Sequence, residues 1–298
     1  MEEKGLSDFK EFGLNIAGNS IVELVSTIIA TLFLRKTVQV QEFEKIKAGK
    51  FSDVINDLLE NGNMTYYEYY KCKNFLKIAK MADKYSSVNK DTDNQKCNSD
   101  NNVEYDIDWF IKFYDYAGGI SNEDMQSIWA HILTSEIDSP GRISNSLLHS
   151  LSMMRREEAE FFCNISRFAL LDYKKELCAH PLIFLSTNYE AYSDSKITSD
   201  KLKELERLGL IECNFINEYI FERVKKFKTG NKIIAVYGDP DNNEKIKAGN
   251  IRFTDDGQML YSFLDNEQKK YRRDILDFTI ERFRRRNCRI MINDNKLV

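Results

Sequence analysis

Apolar residues recur at helical spacing in the first half of the chain, most clearly in "MTYYEYYKCKNFLKIAKMADKY" at 64–85. The positions that share one side of this predicted helix are Tyr69, Cys72, Phe75, Leu76 and Ala79. Thr65 and Glu68 have the spacing of a capping box, so we expect the helix to begin after Thr65. The crowd of aromatic residues could instead form a base-stacking platform, but its periodicity favours a core face.

Three further helices are predicted between residues 106 and 151. The apolar face of the first is formed by Trp109, Phe110 and Phe113. The glycine pair at 118–119 ends it, and Ser121 is expected to cap the second helix. The core stripe of the second helix contains Met125, Ile128, Trp129, Ile132 and Leu133. Ser144 or Ser146 starts the third helix, whose inward residues are Leu147, Leu148 and Leu151.

His131, Glu136 and Asp138 lie within eight residues and raise the question of a metal or acid–base site. His131 and Glu136 are five residues apart, which is about 140° around a helix, so their side chains diverge. Metal-binding pairs on a helix need a spacing of three or four residues. The sequence therefore favours a helix–turn–helix packing unit with a polar rim, and we predict no catalytic residue here.

The second half mixes helical and strand patterns. The stretch "KITSDKLKELERLGLIECN" at 196–214 predicts a helix that is capped near Thr198 or Ser199 and ends at Gly209. After it, "NKIIAVYG" and "NIRFTDDGQMLYSFL" flank the polar segment 239–249, which is a strand–turn–strand pattern. Together these elements predict a winged-helix-like module over residues 181–266.

The most apolar window, residues 14–34, leaves three interpretations open. Asn15, Asn19 and Glu23 form a polar stripe, which favours a buried or partner-packing amphipathic helix. The length and the following Arg35-Lys36 pair are also compatible with a membrane-associated helix or a transmembrane segment. The residues predicted to contact membrane or partner are Ile21, Leu24, Val25, Ile28, Ile29 and Leu32.

Basic residues supply the candidate contacts to nucleic acid or to another anionic partner. On the helix of the winged-helix-like module they are Lys201, Lys203 and Arg207, but three acids make that helix nearly neutral, which favours a structural or protein-binding role. Residues 269–289 hold nine Lys or Arg against three acids and predict a basic amphipathic helix. Its candidate residues are Arg272, Arg273, Arg282, Arg284, Arg285 and Arg286. A solvated face on a docking helix is the alternative there.

Composition narrows the classes of function. The 298 residues carry a net charge of −4, which gives no global case for nucleic acid. The six cysteines are never closer than 15 residues, so we expect no zinc site, and scattered cysteines suit a reducing cytosol. There is no glycine-rich phosphate loop, no signal-peptide pattern and no convincing catalytic triad. We therefore predict no metal, no cofactor and no small-molecule substrate.

One block of motifs resembles a known family. The stretch "WAHILTSEIDSPGRISNSLLHSLSMMRREEAEFF" at 129–162, preceded by "YKCKNFLKIAKMAD" and "DIDW", is similar to the bacterial domain-of-unknown-function family numbered 2806. The similarity covers roughly residues 40–260, and His131 stands at a position that the family pattern leaves free. The family has no established activity. Its association with prophage and defence-type genes implies an antiphage or abortive-infection role.

These observations predict a mainly α protein in four parts. An apolar helical segment (1–48) precedes an α-helical core domain (49–180) that contains a polar loop at 86–104. The winged-helix-like module (181–266) and a basic amphipathic C-terminal helix (267–298) follow. The predicted function is that of a non-enzymatic interaction protein, homo-oligomeric or bound to a protein partner, cytoplasmic or membrane-associated. The alternative is a winged-helix nucleic-acid-binding regulator.

Overall fold

A computed structural model describes residues 56, 59–60, 62, 64–90, 106–172, 179–181, 192–193, 195–229, 232–242, 244–264 and 273–294. The chain divides into two compact units that meet between Leu148 and His149. The predicted apolar helix at 14–34, with Ile21, Leu24, Val25, Ile28, Ile29 and Leu32, lies outside the described residues. Within the described residues, no helix is long and apolar enough to cross a membrane.

The first unit is built from helices, in the order that the apolar periodicity predicts. They are α1 (Tyr66–Lys90), α2 (Ile107–Ala117), α3 (Glu123–Asp138) and the start of α4 (Asn145–Met153), which runs across the junction. Helix α1 continues through Lys90, so it extends into the segment 86–104 that was predicted as a loop.

Side-chain caps set the helix starts. Thr65 and Glu68 form the predicted capping box, because the Glu68 carboxylate accepts from the Thr65 amide at 2.8 Å. Ser144 caps α4 by accepting from the Leu147 amide at 3.0 Å. The prediction for α3 was wrong by one residue, since Asn122 rather than Ser121 accepts from the Met125 amide. Both residue types make good caps, and sequence spacing alone does not separate neighbours.

Aromatic rings close the core of the first unit. Trp129 is fully buried and meets Phe113 edge-on at 5.4 Å between ring centroids. Phe113 in turn stacks on Trp109 at 5.2 Å and meets Phe75 at 6.2 Å. The Trp109 indole donates to the backbone oxygen of Ile143 at 3.0 Å, which ties the start of α2 to the loop before α4. The predicted faces of α1, α2 and α3 therefore meet in one core.

The second unit mixes short helices with antiparallel strands. Its helices are α5 (Arg156–Ser166), α6 (Ser199–Arg207), α7 (Asp255–Phe263) and α8 (Arg273–Arg284). Its strands are β1 (Ala169–Asp172), β2 (Ala179–Pro181), β3 (Ile211–Cys213), β4 (Ile220–Glu222), β5 (Val224–Thr229), β6 (Lys232–Tyr237), β7 (Lys245–Lys247), β8 (Ile251–Phe253) and β9 (Arg289–Asp294).

Strand pairing departs from the predicted strand–turn–strand pattern. The five-stranded sheet has the order β2-β1-β5-β6-β9, and two small sheets pair β3 with β8 and β4 with β7. Strand β6 therefore does not pair with β8. Only residues 230–231 separate β5 from β6, and so short a connection makes their pairing entropically cheap. The C-terminal helix ends at Arg284, and the β-prone run at 290–292 continues as β9.

One face of the five-stranded sheet carries the core of the second unit. Phe283 from α8 stacks on Phe227 from β5 at 6.5 Å between centroids. The buried cluster consists of Leu170, Phe227, Ile234, Val236, Ile246, Ala248, Phe283 and Cys288. Gly257 at the start of α7 shows how closely the elements pack, since a Cβ there would lie 1.9 Å from the Leu210 oxygen. The fold is therefore helical with a sheet component, which confirms the prediction of a mainly helical protein that also contains strands.

Candidate interaction surface

Glu136 is the buried member of the polar group formed by His131, Glu136 and Asp138 in the sequence of α3. The side chain is buried, with 2% exposure, and its two carboxylate oxygens accept from the backbone amides of Gly141 at 2.6 Å and Ile143 at 3.0 Å. The carboxylate therefore holds the turn between α3 and α4 in place. Both carboxylate oxygens therefore have a backbone partner, as is usual for a buried polar group.

His131 and Asp138 do not join Glu136. The His131 ring stacks on Tyr85 of α1 at 4.0 Å between centroids and 6° between planes. Tyr85 also shares a hydrogen bond of 2.9 Å with Ser127. Asp138 is exposed at the last position of α3. Among the residues that the structure describes, no group of three or more His, Cys, Asp or Glu side chains is placed to hold a metal ion.

The three basic residues of α6 that were predicted to contact nucleic acid have different surroundings. The Lys201 amine lies 5.5 Å from the centre of the Phe161 ring, and the Arg207 guanidinium lies 3.6 Å from the Glu158 carboxylate. Lys203 is exposed. Two of the three predicted contact residues thus help to hold α6 against α5.

Glu158 is the centre of a charge network between α5 and α6. Its side chain is 1% exposed and pairs with Arg155 at 2.9 Å, while Arg155 also reaches Glu204 at 3.5 Å. Burial by itself raises the pKa of Glu158, but the hydrogen bonds from Arg155 and the charges of Arg155 and Arg207 outweigh it, and the pKa is lowered. The carboxylate therefore stays ionised although it is buried.

The basic residues of the C-terminal helix are not gathered on one free face. Arg272 lies outside the described residues, and Arg273 begins α8. Arg285, the residue after the end of α8, pairs with Glu281 of α8, and Arg286 pairs with Glu218 at 2.6 Å. Arg284 is exposed at the end of α8, whereas Arg282 in its last turn is half-buried.

The segment 214–220, here called the apolar turn, comprises the loop after β3 and the first residue of β4, and it presents large apolar side chains to solvent. Ile216 is 89% exposed, Phe215 is 51% exposed and Ile220 is 48% exposed. Sequence reasoning missed this surface, because Phe and Ile at such positions are expected in a core. The flanking asparagines in "NFINEYI" were the available signal, since Asn favours turns.

Two asparagines hold the apolar turn in shape. The Asn214 side chain accepts from the amides of Ile216 at 3.2 Å and Asn217 at 2.9 Å. The Asn250 side chain donates to the backbone oxygens of Asn214 at 3.0 Å and Asn217 at 3.3 Å. The exposed apolar residues are therefore displayed on a backbone that is already ordered.

A second exposed group lies at the start of α1. Tyr66 is 81% exposed, Tyr67 is 68% exposed and Tyr70 is 45% exposed. The predicted core face of α1 is confirmed at Cys72, Phe75, Leu76 and Ala79, which are buried. The tyrosines outside that face point to solvent, so the aromatic crowd divides between core and surface.

Comparison with known proteins identifies the family. The elements and contacts above define a helix-rich α+β protein with an exposed apolar turn. The family model described as "Protein of unknown function (DUF2806)" matches residues 69–276, and the chain belongs to this family. Searches of the curated proteins and of the solved structures found no match.

Proposed function

We propose that this protein is a non-enzymatic interaction protein that self-assembles through the apolar turn of its second unit. The observation that carries the proposal is the exposure of Ile216, 89%, beside Phe215 on an ordered backbone. Burying each of these side chains in an interface contributes about 1.5–3 kcal/mol. Because the asparagine bonds already order the turn, little of that gain is lost to ordering it on association.

The charged residues around the apolar turn favour a second copy of the chain as the partner. Arg252 and Glu212 form an exposed pair at 2.7 Å on β8 and β3, and the Arg252 guanidinium lies 5.4 Å from the Tyr219 ring in the turn. An apolar centre with a rim of both charge signs is self-complementary about a two-fold axis. A strongly acidic or strongly basic partner gains less from such a rim.

Light scattering on the full chain, over a range of concentrations, tests self-assembly. We expect wild-type protein to reach the mass of a dimer or larger, and the variant Phe215→Ser/Ile216→Ser to remain a monomer. Ile111→Ser is the matched control, because Ile111 is 52% exposed on α2 in the other unit, and it should assemble like wild type. A wild-type monomer at every concentration would overturn the proposal.

The family resemblance suggests the setting in which assembly would act. A bacterial, prophage-linked protein that assembles in the cytoplasm fits a phage-defence or abortive-infection component. Phage plating on cells that express wild type, Phe215→Ser/Ile216→Ser or Ile111→Ser tests this role. Equal plating on wild-type and empty-vector cells would remove the defence role and leave assembly untouched.

The winged-helix nucleic-acid regulator remains the second candidate. Helix α6 is followed by the antiparallel pair β3 and β8, which is the order of a winged helix, and Lys203 is exposed on α6. The contacts of Lys201 with Phe161 and of Arg207 with Glu158 support docking onto α5 instead. Salt-sensitive binding to a DNA duplex that is weakened by Lys203→Gln would favour this candidate.

A further inference from the structure

The five-stranded sheet has a second face, opposite the one that packs on α8. Phe227, Ile234 and Val236 point to the core face. Because side chains alternate along a strand, the cross-strand row of Lys226, Ala235 and Met291 points the other way. Lys226 is exposed and Met291 is 55% exposed, so this face is open at β5 and β9. It is called the open face below.

The open face combines positive charge with an aromatic ring. Tyr237 and Arg289 are direct cross-strand partners, and the Arg289 guanidinium lies 5.9 Å from the centre of the Tyr237 ring. Ala235 is a small, buried floor between Lys226 and Met291. Over the described extent of β5, β6 and β9, the positions of this face hold no Asp or Glu. The face is thus uniformly basic or neutral, unlike the rim of the apolar turn.

We propose that the open face binds single-stranded nucleic acid. Lys226 and Arg289 lie on the strands that flank β6, roughly 10–12 Å apart at their Cα atoms, and so can each contact a phosphate. Tyr237 lies between them, and its ring, with the Arg289 guanidinium, offers a surface on which an unpaired base stacks. Met291 adds an exposed apolar contact at the edge of the same surface.

The chemistry of the open face favours a single strand over other anions. A duplex keeps the faces of its bases stacked on one another, so it has no free base face to stack on Tyr237. An acidic peptide or an anionic membrane can use Lys226 and Arg289 but has no planar base to stack. Loss of the ring is therefore the change that separates these partners.

Binding is measured by the fluorescence anisotropy of a labelled thymidine oligonucleotide with the full chain, at several salt concentrations. The variant Lys226→Gln/Arg289→Gln is expected to bind about tenfold more weakly, and the log–log salt slope should fall by about 1.4, because two phosphate contacts are lost. Tyr237→Leu should weaken binding about tenfold without changing the slope, whereas Tyr237→Phe should bind like wild type.

Three control variants test whether the oligonucleotide binds to the open face and not to another surface. Lys203→Gln on α6 and Lys245→Gln on β7 remove exposed cations elsewhere and should change affinity less than twofold. Phe215→Ser/Ile216→Ser should bind the oligonucleotide normally, so failure of self-assembly and failure of this proposal are distinguishable. Circular dichroism establishes that each variant is folded.

Several results would overturn the proposal. They are absence of oligonucleotide binding by wild type, equal affinity for a duplex of the same charge, and an unchanged affinity of Tyr237→Leu. A loss of binding in Lys203→Gln together with normal binding in Lys226→Gln/Arg289→Gln would place the contact on α6 instead. Binding of anionic vesicles by wild type as tight as its binding of the oligonucleotide would identify a general anion surface and overturn the preference for a single strand.

Discussion

Glu136 in the first unit and Glu158 in the second are both buried, yet their partners are of different kinds. Glu136 accepts from two backbone amides of one turn. Glu158 pairs with Arg155 and Arg207 and so joins α5 to α6. A buried carboxylate can therefore shape a loop or tie two helices together, and the partners, not the burial, decide which.

The two units also differ in charge. Residues 1–148 hold 16 Lys and Arg against 23 Asp and Glu, whereas residues 149–298 hold 27 against 24. The net charge of −4 for the whole chain does not show this difference between the units. Both proposed contact surfaces, the apolar turn and the open face, lie in the second unit.

The largest expected effect is on the aromatic core of the first unit. Trp129→Ala should lower the free energy of unfolding by about 3–5 kcal/mol, because it leaves a large cavity against Phe113. Trp109 remains and also lies in the first unit, so its fluorescence during urea unfolding reports the loss. Tyr66→Ala, at a residue that is 81% exposed, should change stability by less than about 0.5 kcal/mol. Equal effects of the two changes would contradict the core described here.

Glu136→Ala should cost about 2–3 kcal/mol, because the amides of Gly141 and Ile143 lose their acceptor. Glu136→Gln keeps one acceptor oxygen and should cost less. Urea midpoints of both variants measure the difference. If Glu136→Ala were as stable as wild type, the carboxylate would not be holding the turn.

Glu158 gives the second unit a dependence on pH. Its folded pKa is lower than the ordinary 4.5, so its stabilisation is present above pH 4.5 and is lost as the pH falls through the folded pKa. Glu158→Gln should cost about 1–3 kcal/mol at pH 7 and progressively less in acid, where wild type also carries a neutral side chain. Hydrogen exchange in α5 and α6 at several pH values measures this. A cost that stays constant with pH would exclude the charge network as its cause.

The smallest effect is expected from the exposed pair of Arg156 and Glu160, whose side chains are 78% and 63% exposed. Arg156→Ala should change stability by less than about 0.5 kcal/mol, because water screens the pair. A double-mutant cycle with Glu160→Ala measures the coupling. A coupling above about 1 kcal/mol would mean that surface pairs also tie the second unit together.

Much of the helical framework was predictable from local patterns. Thr65 with Glu68, Ser144 and Thr198 cap helices as predicted, and Gly209, with φ of +71°, follows the end of α6. A cap or a helical face depends on residues three or four positions apart, which a single sequence displays directly. The family resemblance was confirmed over residues 69–276.

Tertiary structure alone decided the features on which the proposed functions depend. The pairing of β6 with β9 and the contact of Arg207 with Glu158 join residues that are distant in sequence. The exposure of Phe215 and Ile216 depends on which side chains the rest of the fold leaves uncovered. The sequence determined where helices begin and which faces are apolar, because those properties are local. It left open which apolar residues would find partners, because burial is settled only when all the elements have packed.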